Sequence, residues 1–191
     1  MSKCKMRFSE DLVFVFRVTI LCACWLPILT INNGLPSLIT LEPWTVGILN
    51  KTKGFCGGAI LSETYVITSA FCVYENQPKD LEVHYNSTYR TFGYKTAKVQ
   101  TIHKFASFDP KSLHDDIALL QIQGKLDLNN KTSQSIGLPE EHYCPHPGDQ
   151  VLVSGWGTQE HNPHLADFLK HANFTVRANP KCNQKITRDQ F

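Results

Sequence analysis

The chain has 191 residues, of which 42% are apolar and 19% are charged, and its formal net charge is +2. These fractions are typical of a folded globular protein and exclude an intrinsically disordered one. The near-neutral charge gives no reason to expect a nucleic acid or an acidic membrane as a partner. The length allows one ordinary domain or a compact two-lobed one.

Residues 1–30 predict a secretory leader. Lys3, Lys5 and Arg7 form a basic start, and an apolar stretch follows at 18–29. That stretch has the length of a signal-peptide core and is short for a bilayer span. We therefore expect a secreted, extracellular protein with no stable membrane insertion. A signal anchor is the alternative, and Arg17 disfavours it because it interrupts any longer apolar span.

Four Asn-X-Ser/Thr triplets point to the same secretory route. Their acceptor residues are Asn50, Asn86, Asn130 and Asn173. Each would accept an N-linked glycan if the chain enters that route. So many triplets in so short a chain exceed chance several-fold, which favours secretion.

The cysteines fit an oxidising compartment. Three of the seven, Cys4, Cys22 and Cys24, lie in the predicted leader. The mature chain keeps Cys56, Cys72, Cys144 and Cys182. Outside the cytosol, cysteines of this kind form disulfides.

Seven short runs rich in β-branched and aromatic residues predict strands. They lie near Thr45–Leu49, Tyr65–Ser69, Leu81–Tyr85, Lys98–His103, Ile117–Ile122, Val151–Gly155 and Leu169–Val176. Turn-forming residues separate them, and no window keeps a helical period over three turns. Evenly spaced short strands predict an all-β protein, either an antiparallel barrel or a sandwich.

Four segments, in a fixed order along the chain, carry a specific resemblance. They are Phe55-Cys-Gly-Gly-Ala-Ile-Leu61, Tyr65-Val-Ile-Thr-Ser-Ala-Phe-Cys72, Asp115-Asp-Ile-Ala-Leu-Leu120 and Gly148-Asp-Gln-Val-Leu-Val-Ser-Gly-Trp-Gly157. They resemble the chymotrypsin/trypsin family of serine proteases, and the likeness runs from about Ile31 to Phe191. Segments 81–87 and 136–157 look most like mite trypsin-like allergens and their inactivated protease paralogues.

The resemblance implies an all-β fold, the trypsin-like double antiparallel β-barrel. It places the N-terminal barrel in residues 31–133 and part of the C-terminal barrel in residues 134–191. We expect the second barrel to be incomplete, because the chain ends before the segments that complete it in the family.

The resemblance also pairs Cys56 with Cys72. Closing a loop of this length removes unfolded-chain entropy worth about 3 kcal/mol. The alternative, two buried free thiols, is unusual outside the cytosol. Gly57 and Gly58, inside the loop, allow a close approach of two backbones or a positive φ in a tight bend.

Phe71 decides the predicted function. By resemblance it occupies the position of the catalytic histidine, immediately before Cys72. That histidine takes a proton from the serine hydroxyl and returns it to the leaving amine, and a phenyl ring can do neither. The nucleophile serine is also absent, because neither Gly-Asp-Ser-Gly-Gly nor Gly-X-Ser-X-Gly occurs in these residues. We expect no serine-protease catalysis.

Two other positions, Asp116 and Ile31, match functional residues of the family, but the groups that these residues work with are missing. Asp116 matches the triad aspartate, which orients the imidazole in the family; its alternative role is a carboxylate held by backbone N–H groups. Ile31 lies where the mature N-terminus would be. Thr30 precedes it, whereas trypsin-like activation cuts after Lys or Arg, so we expect no ordinary zymogen activation.

We expect no cofactor and no metal. A proline-broken stretch contains His142, His146, His161 and His164. Because no regular ligand geometry follows from it, we interpret these residues as surface histidines beside an orphan thiol. Cys144 and Cys182 are expected to be unpaired, since their family partners belong to the missing region.

Three functions remain open at this point. The leading one is a pseudoprotease that binds an unknown protein, for example a protease or another component of a proteolytic cascade, as a decoy or modulator. The second is an incomplete fragment of a longer serine-endopeptidase-family protein, with no independent function. The third is a peptidase of another mechanism, for which Cys144 with a nearby histidine is the only nucleophile–base candidate.

Overall fold

The computed structural model describes residues 34–51, 54–141, 143–158 and 164–177, and these residues form nine strands. The strands are β1 (Leu35–Pro36), β2 (Thr45–Asn50), β3 (Gly54–Ile60), β4 (Tyr65–Thr68), β5 (Leu81–Tyr85), β6 (Lys95–Lys104), β7 (Ala118–Ile122), β8 (Gln150–Gly155) and β9 (Lys170–Thr175). A turn of 3-10 helix, Pro78–Asp80, precedes β5. Within the described ranges, no helix is long and apolar enough to cross a membrane. The predicted all-β fold is confirmed.

Six strands close into an antiparallel barrel in the order β2-β3-β4-β7-β6-β5. The alternation along β7 shows why: Ala118, Leu120 and Ile122 are buried, whereas Leu119 and Gln121 are only half-buried. Successive side chains of a strand point to opposite faces, so this pattern turns one face of β7 inward. The inward faces of the six strands form one continuous apolar core.

The strand registers give the barrel two distinct ends. At one end Thr68 of β4 pairs with Ala118 of β7, and we call this the upper end. At the other, lower end Tyr85 of β5 pairs with Lys95 of β6. Because all neighbours are antiparallel, β2 finishes at the upper end, where Asn50 pairs with Leu81.

A second, three-stranded antiparallel sheet has the order β1-β9-β8. Its own apolar cluster consists of Ile39, Trp156 and Leu169, and Phe55 of the barrel packs against that cluster. The rings of Phe55 and Trp156 meet edge to face at 6.1 Å. The barrel and the second sheet therefore share an apolar contact.

All seven predicted strands are present, with ends that differ by at most three residues. The two strands that the sequence did not predict are β1 and β3. Strand β3 contains three glycines, which have low strand propensity, and it forms because β2 and β4 bond to it on both sides. Strand β1 has only two residues, and it pairs with β9 in the second sheet rather than with the N-terminal barrel, to which its residues were assigned.

Gly58 shows which of the two expected glycine roles is used. A Cβ built on it would lie 2.8 Å from the carbonyl oxygen of Ile67 on β4. Neither Gly57 nor Gly58 has a positive φ. Of the two expected alternatives, the structure therefore shows the close backbone approach, at Gly58.

Candidate functional site

The turn that follows β4 places Phe71 against Asp116 at the upper end of the barrel. Asp116 lies just before β7 and is 8% exposed. Its Oδ1 accepts a hydrogen bond from the Ser69 hydroxyl at 2.7 Å and another from the Phe71 backbone N–H at 2.7 Å. The carboxylate thus fixes the turn between Ser69 and Cys72. The alternative role, a carboxylate held by backbone N–H groups, is met by one of these two donors, and the other is a hydroxyl.

The Phe71 side chain points to a partly exposed aromatic run. The ring is 43% exposed and lies 5.8 Å from the Tyr74 ring, which lies 5.6 Å from Phe108. Beside this run, the Ser112 hydroxyl and the Lys111 backbone N–H bond to Asp109 and hold the pKa of that carboxyl below its ordinary value. This surface offers apolar contact, and a phenyl ring has no site that takes up a proton near neutral pH.

The implied disulfide is present at the same end of the barrel. Cys56 and Cys72 form a disulfide, which confirms the predicted pair. Their Cα atoms are 6.3 Å apart, within the usual range for a disulfide. The Asn50 side-chain amide donates a hydrogen bond to the Cys72 carbonyl oxygen. The upper end therefore combines the disulfide, Phe71, Asp116 and the end of β2.

Cys144 corrects one expectation. It is disulfide-bonded, so it is not an unpaired thiol. A cysteine in a disulfide has no thiolate to attack a substrate, which removes the hypothesis of a Cys144 peptidase. Ile31 and Cys182 lie outside the described residues.

The histidine stretch shows no metal centre in the part of the chain that the structure describes. His142 and His161 fall outside it, and the described residues hold no group of three His, Cys, Asp or Glu side chains that could bind a metal ion. His146 is exposed, with Nδ1 3.9 Å from the Asp149 carboxylate.

The four asparagines of the Asn-X-Ser/Thr triplets differ sharply in accessibility. Asn130 and Asn173 are exposed, and Asn86 is half-buried. Asn50 is 1% exposed, and its amide nitrogen is already hydrogen-bonded. The prediction that Asn50 carries a glycan is therefore incompatible with the folded chain.

Sequence reasoning missed a buried carboxylate in the segment that links β1 of the second sheet to β2 of the barrel. Glu42 is 1% exposed and accepts a hydrogen bond from the Ser37 hydroxyl at 2.5 Å. Its other oxygen lies 2.7 Å from Nδ1 of His171 on β9. No motif signals this group, because Glu42 and His171 are 129 positions apart.

Arg90 makes a second connection between the same two parts. Its Nη2 donates to the Asp167 carboxylate at 2.7 Å, and its Nε donates to the Ala166 carbonyl at 3.2 Å. The backbone N–H of Arg90 donates to the Asp167 carbonyl at 2.8 Å. Its guanidinium lies 5.8 Å from the centre of the Phe55 ring. Several polar contacts therefore hold the two sheets in one arrangement.

With this geometry described, the family can be identified. The family model of trypsin matches residues 31–191. The chain belongs to the trypsin family of serine proteases and their homologues.

Known proteins of mites are among the most similar. The chain is 34% identical over 110 residues to Trypsin Blo t 3 of Blomia tropicalis, covering 58% of this chain and 41% of that one. Among solved structures, the scabies mite inactivated protease paralogue S-D1 matches with a TM-score of 0.78 and 37% identity over 81% of this chain and 66% of that one. Paralogue S-I1 matches with a TM-score of 0.71 and 30% identity, over 79% and 68%.

Fold similarity extends further than sequence similarity. Human heparin binding protein matches with a TM-score of 0.71 at 24% identity, over 80% of this chain and 68% of that one. At that identity the match shows the shared fold alone. The chain spans about two fifths of Blo t 3 and 59% of the Drosophila erecta Trypsin beta sequence that it matches.

Proposed function

We propose that this protein is a secreted, non-catalytic member of the trypsin family that acts by binding another protein, as a decoy or as a modulator of a proteolytic cascade. One observation carries the proposal. The residue whose backbone N–H reaches the buried Asp116 carboxylate is Phe71, and its side chain is a hydrocarbon ring.

Peptide hydrolysis by the serine-protease mechanism needs a proton-transferring side chain at position 71. A base must take the proton of the attacking hydroxyl and then return it to the leaving amine. In trypsin-like enzymes, loss of one member of the triad leaves only about 10³–10⁴-fold catalysis over water, from the oxyanion hole and binding. The argument depends on Phe71, which lies well inside the matched region, so it applies equally to a longer protein that contains these residues.

Two further observations support a binding role. The scabies mite relatives of known structure are themselves inactivated protease paralogues. The fold around the site is kept, with its disulfide, its closed barrel and the Asp116 contacts all in place. The Phe71 ring, 43% exposed, lies beside Tyr74 and offers apolar surface at this end of the barrel.

The catalytic part of the proposal is tested with a fluorophosphonate probe, which reacts covalently with activated serines. The purified chain is incubated with the probe and with a peptide ester, with active trypsin as the positive control. We expect no covalent adduct and no ester turnover above the rate in buffer. A stoichiometric adduct detected by intact mass would overturn the proposal.

The binding part is tested separately by adding the folded chain in rising concentration to a serum protease cascade. The matched control is the same chain after reduction and alkylation of its cysteines, which removes the Cys56–Cys72 disulfide. We expect the folded chain alone to change the rate of product formation in a dose-dependent way. No change at any dose would contradict the binding role while leaving the lack of catalysis intact.

A further inference from the structure

The first residue of one glycosylation triplet, Asn50, is buried at the end of strand β2. Asn50 is the last residue of the strand and pairs with Gly54 on one side and Leu81 on the other. Its side chain is 1% exposed, and its Nδ2 donates to the Cys72 carbonyl next to the disulfide. An N-linked sugar is attached through this same nitrogen, and a close-packed interior has no room for it.

Asn130 presents the opposite situation. It is exposed in the loop after β7, with a φ of 56°, and its backbone N–H donates to the Ser133 carbonyl at 3.0 Å. The hydroxyl of Thr132, the third residue of its triplet, donates to the Asn86 side-chain oxygen. Since Asn86 directly follows β5, this loop lies at the lower end of the barrel, opposite Phe71.

Asn173 is exposed as well, but on a regular strand. It lies in the middle of β9 and pairs with Leu152 of β8, whose side chain is 38% exposed. Both side chains of this pair are therefore on the solvent side of the second sheet. A sugar attached to Asn173 would extend into solvent without displacing the core formed by Trp156 and Leu169.

We propose that the secreted chain carries N-linked glycans at Asn130 and Asn173 and none at Asn50. In the transfer step, Nδ2 of the asparagine forms a bond to C1 of the first sugar of a lipid-linked diphosphate oligosaccharide. The bond between C1 and the diphosphate oxygen breaks, and the lipid diphosphate leaves with the electron pair and takes up the proton that the amide nitrogen loses.

This distribution of glycans leaves uncovered the aromatic run of Phe71, Tyr74 and Phe108 at the upper end of the barrel. It does not rest on the proposed binding function. The Asn130 glycan lies at the lower end of the barrel, whereas a glycan on Asn50 would lie at the upper end, beside Cys72 and Phe71. Carbohydrate at the lower end leaves the aromatic run at the upper end open to a protein.

The test uses the full chain with its own leader, expressed in a mammalian secretory cell line. Protein from the medium is treated with peptide N-glycosidase in ¹⁸O water, which converts each glycosylated asparagine to labelled aspartate, and its peptides are analysed by mass spectrometry. We expect label at Asn130 and Asn173 and no label at Asn50. Label at Asn50 overturns the proposal, and so does a lack of label at Asn130 or at Asn173. Retention of a chain without glycans inside the cell also overturns it.

Matched variants separate the glycan from the side chain at Asn50. Thr52→Ala removes the triplet but keeps the Asn50 amide, so we expect unchanged yield and unchanged glycan number. Asn50→Ala removes the contact with Cys72 as well, and we expect lower secretion. Asn130→Asp, which tolerates a positive φ, and Asn173→Gln should each remove one glycan from the intact mass. A glycan lost in Thr52→Ala contradicts the proposal.

Discussion

At the scale of single residues, the surroundings of Asp116 explain why a triad-like carboxylate persists beside a phenyl ring. Burial would be costly for this carboxylate without hydrogen bonds, and the structure supplies the Ser69 hydroxyl and the Phe71 backbone N–H. Neither donor depends on the identity of the side chain at position 71. The aspartate therefore has a structural task that remains when the imidazole is absent.

This structural task predicts the effect of two substitutions. Asp116→Ala leaves two partly buried donors, the Ser69 hydroxyl and the Phe71 backbone N–H, without an acceptor. It should lower the free energy of unfolding by about 1–3 kcal/mol. Asp116→Asn keeps an acceptor oxygen and should cost only about 1 kcal/mol. Urea unfolding followed by tryptophan fluorescence measures both values. The control is Asp127→Asn, an exposed carboxylate paired with Lys95, which should change stability by less than about 1 kcal/mol.

Equal losses for Asp116→Ala and Asp116→Asn would show that the charge of the carboxylate matters more than its acceptor oxygen. That result would contradict the assigned role, because a negative charge with neutral hydrogen-bond donors around it is not required to hold the turn.

At the scale of the element, strand β3 depends on the close approach that Gly58 permits. Its neighbours β2 and β4 supply the hydrogen-bond ladders, and the missing Cβ allows the Ile67 carbonyl of β4 to approach. The strand thus forms against its own propensity, because closure of the barrel requires a strand at this place.

Gly58→Ala should destabilise the protein by about 1–3 kcal/mol, because the new Cβ would lie 2.8 Å from the Ile67 carbonyl oxygen and force a backbone shift. Gly137→Ala is the matched control, since no atom lies within 4 Å of the Cβ it adds. The control should be neutral within about 0.5 kcal/mol. Denaturant unfolding compares the two, and equal stability would show that β3 and β4 can move apart freely.

At the scale of the whole molecule, polar groups join the barrel to the second sheet. Glu42 binds Ser37 and His171, and Arg90 binds Asp167 and Ala166. Trp156 contributes an apolar face and also donates from Nε1 to the Thr88 carbonyl at 3.0 Å. Since Glu42 is buried, it contributes more to this junction than an exposed ion pair would.

Glu42→Ala leaves the Ser37 hydroxyl and His171 without their shared acceptor, and it should loosen the second sheet before the barrel. We expect faster amide hydrogen exchange in β8 and β9, with exchange in β5 and β7 unchanged, measured by mass spectrometry. Glu63→Ala serves as the control, because its carboxylate is exposed and pairs with Lys125 across the surface. Faster exchange in the barrel strands to the same extent would contradict a role confined to the junction.

Much of the barrel could be predicted from the sequence, because local patterns encode it. Runs rich in β-branched and aromatic residues, bounded by turn-forming residues, mark seven of the strands without knowledge of their partners. The segment around Cys72 carries the family resemblance, including the phenylalanine at the histidine position. Strands β1 and β3 could not be predicted in this way. A two-residue strand and a glycine-rich strand have almost no local signal, and only their neighbours make them strands.

The sequence by itself therefore determined the all-β class and the phenyl ring at position 71, since these depend on local residue types. The Cys56–Cys72 pair followed from the family resemblance that short ordered segments carry. Only the tertiary structure decided that Asn50 is buried, that Cys144 is bonded, and that Glu42 meets His171. The physical reason is that burial and hydrogen bonding at these residues arise from contacts between distant parts of the chain. Such contacts exist only after the barrel has closed and the second sheet has packed against it.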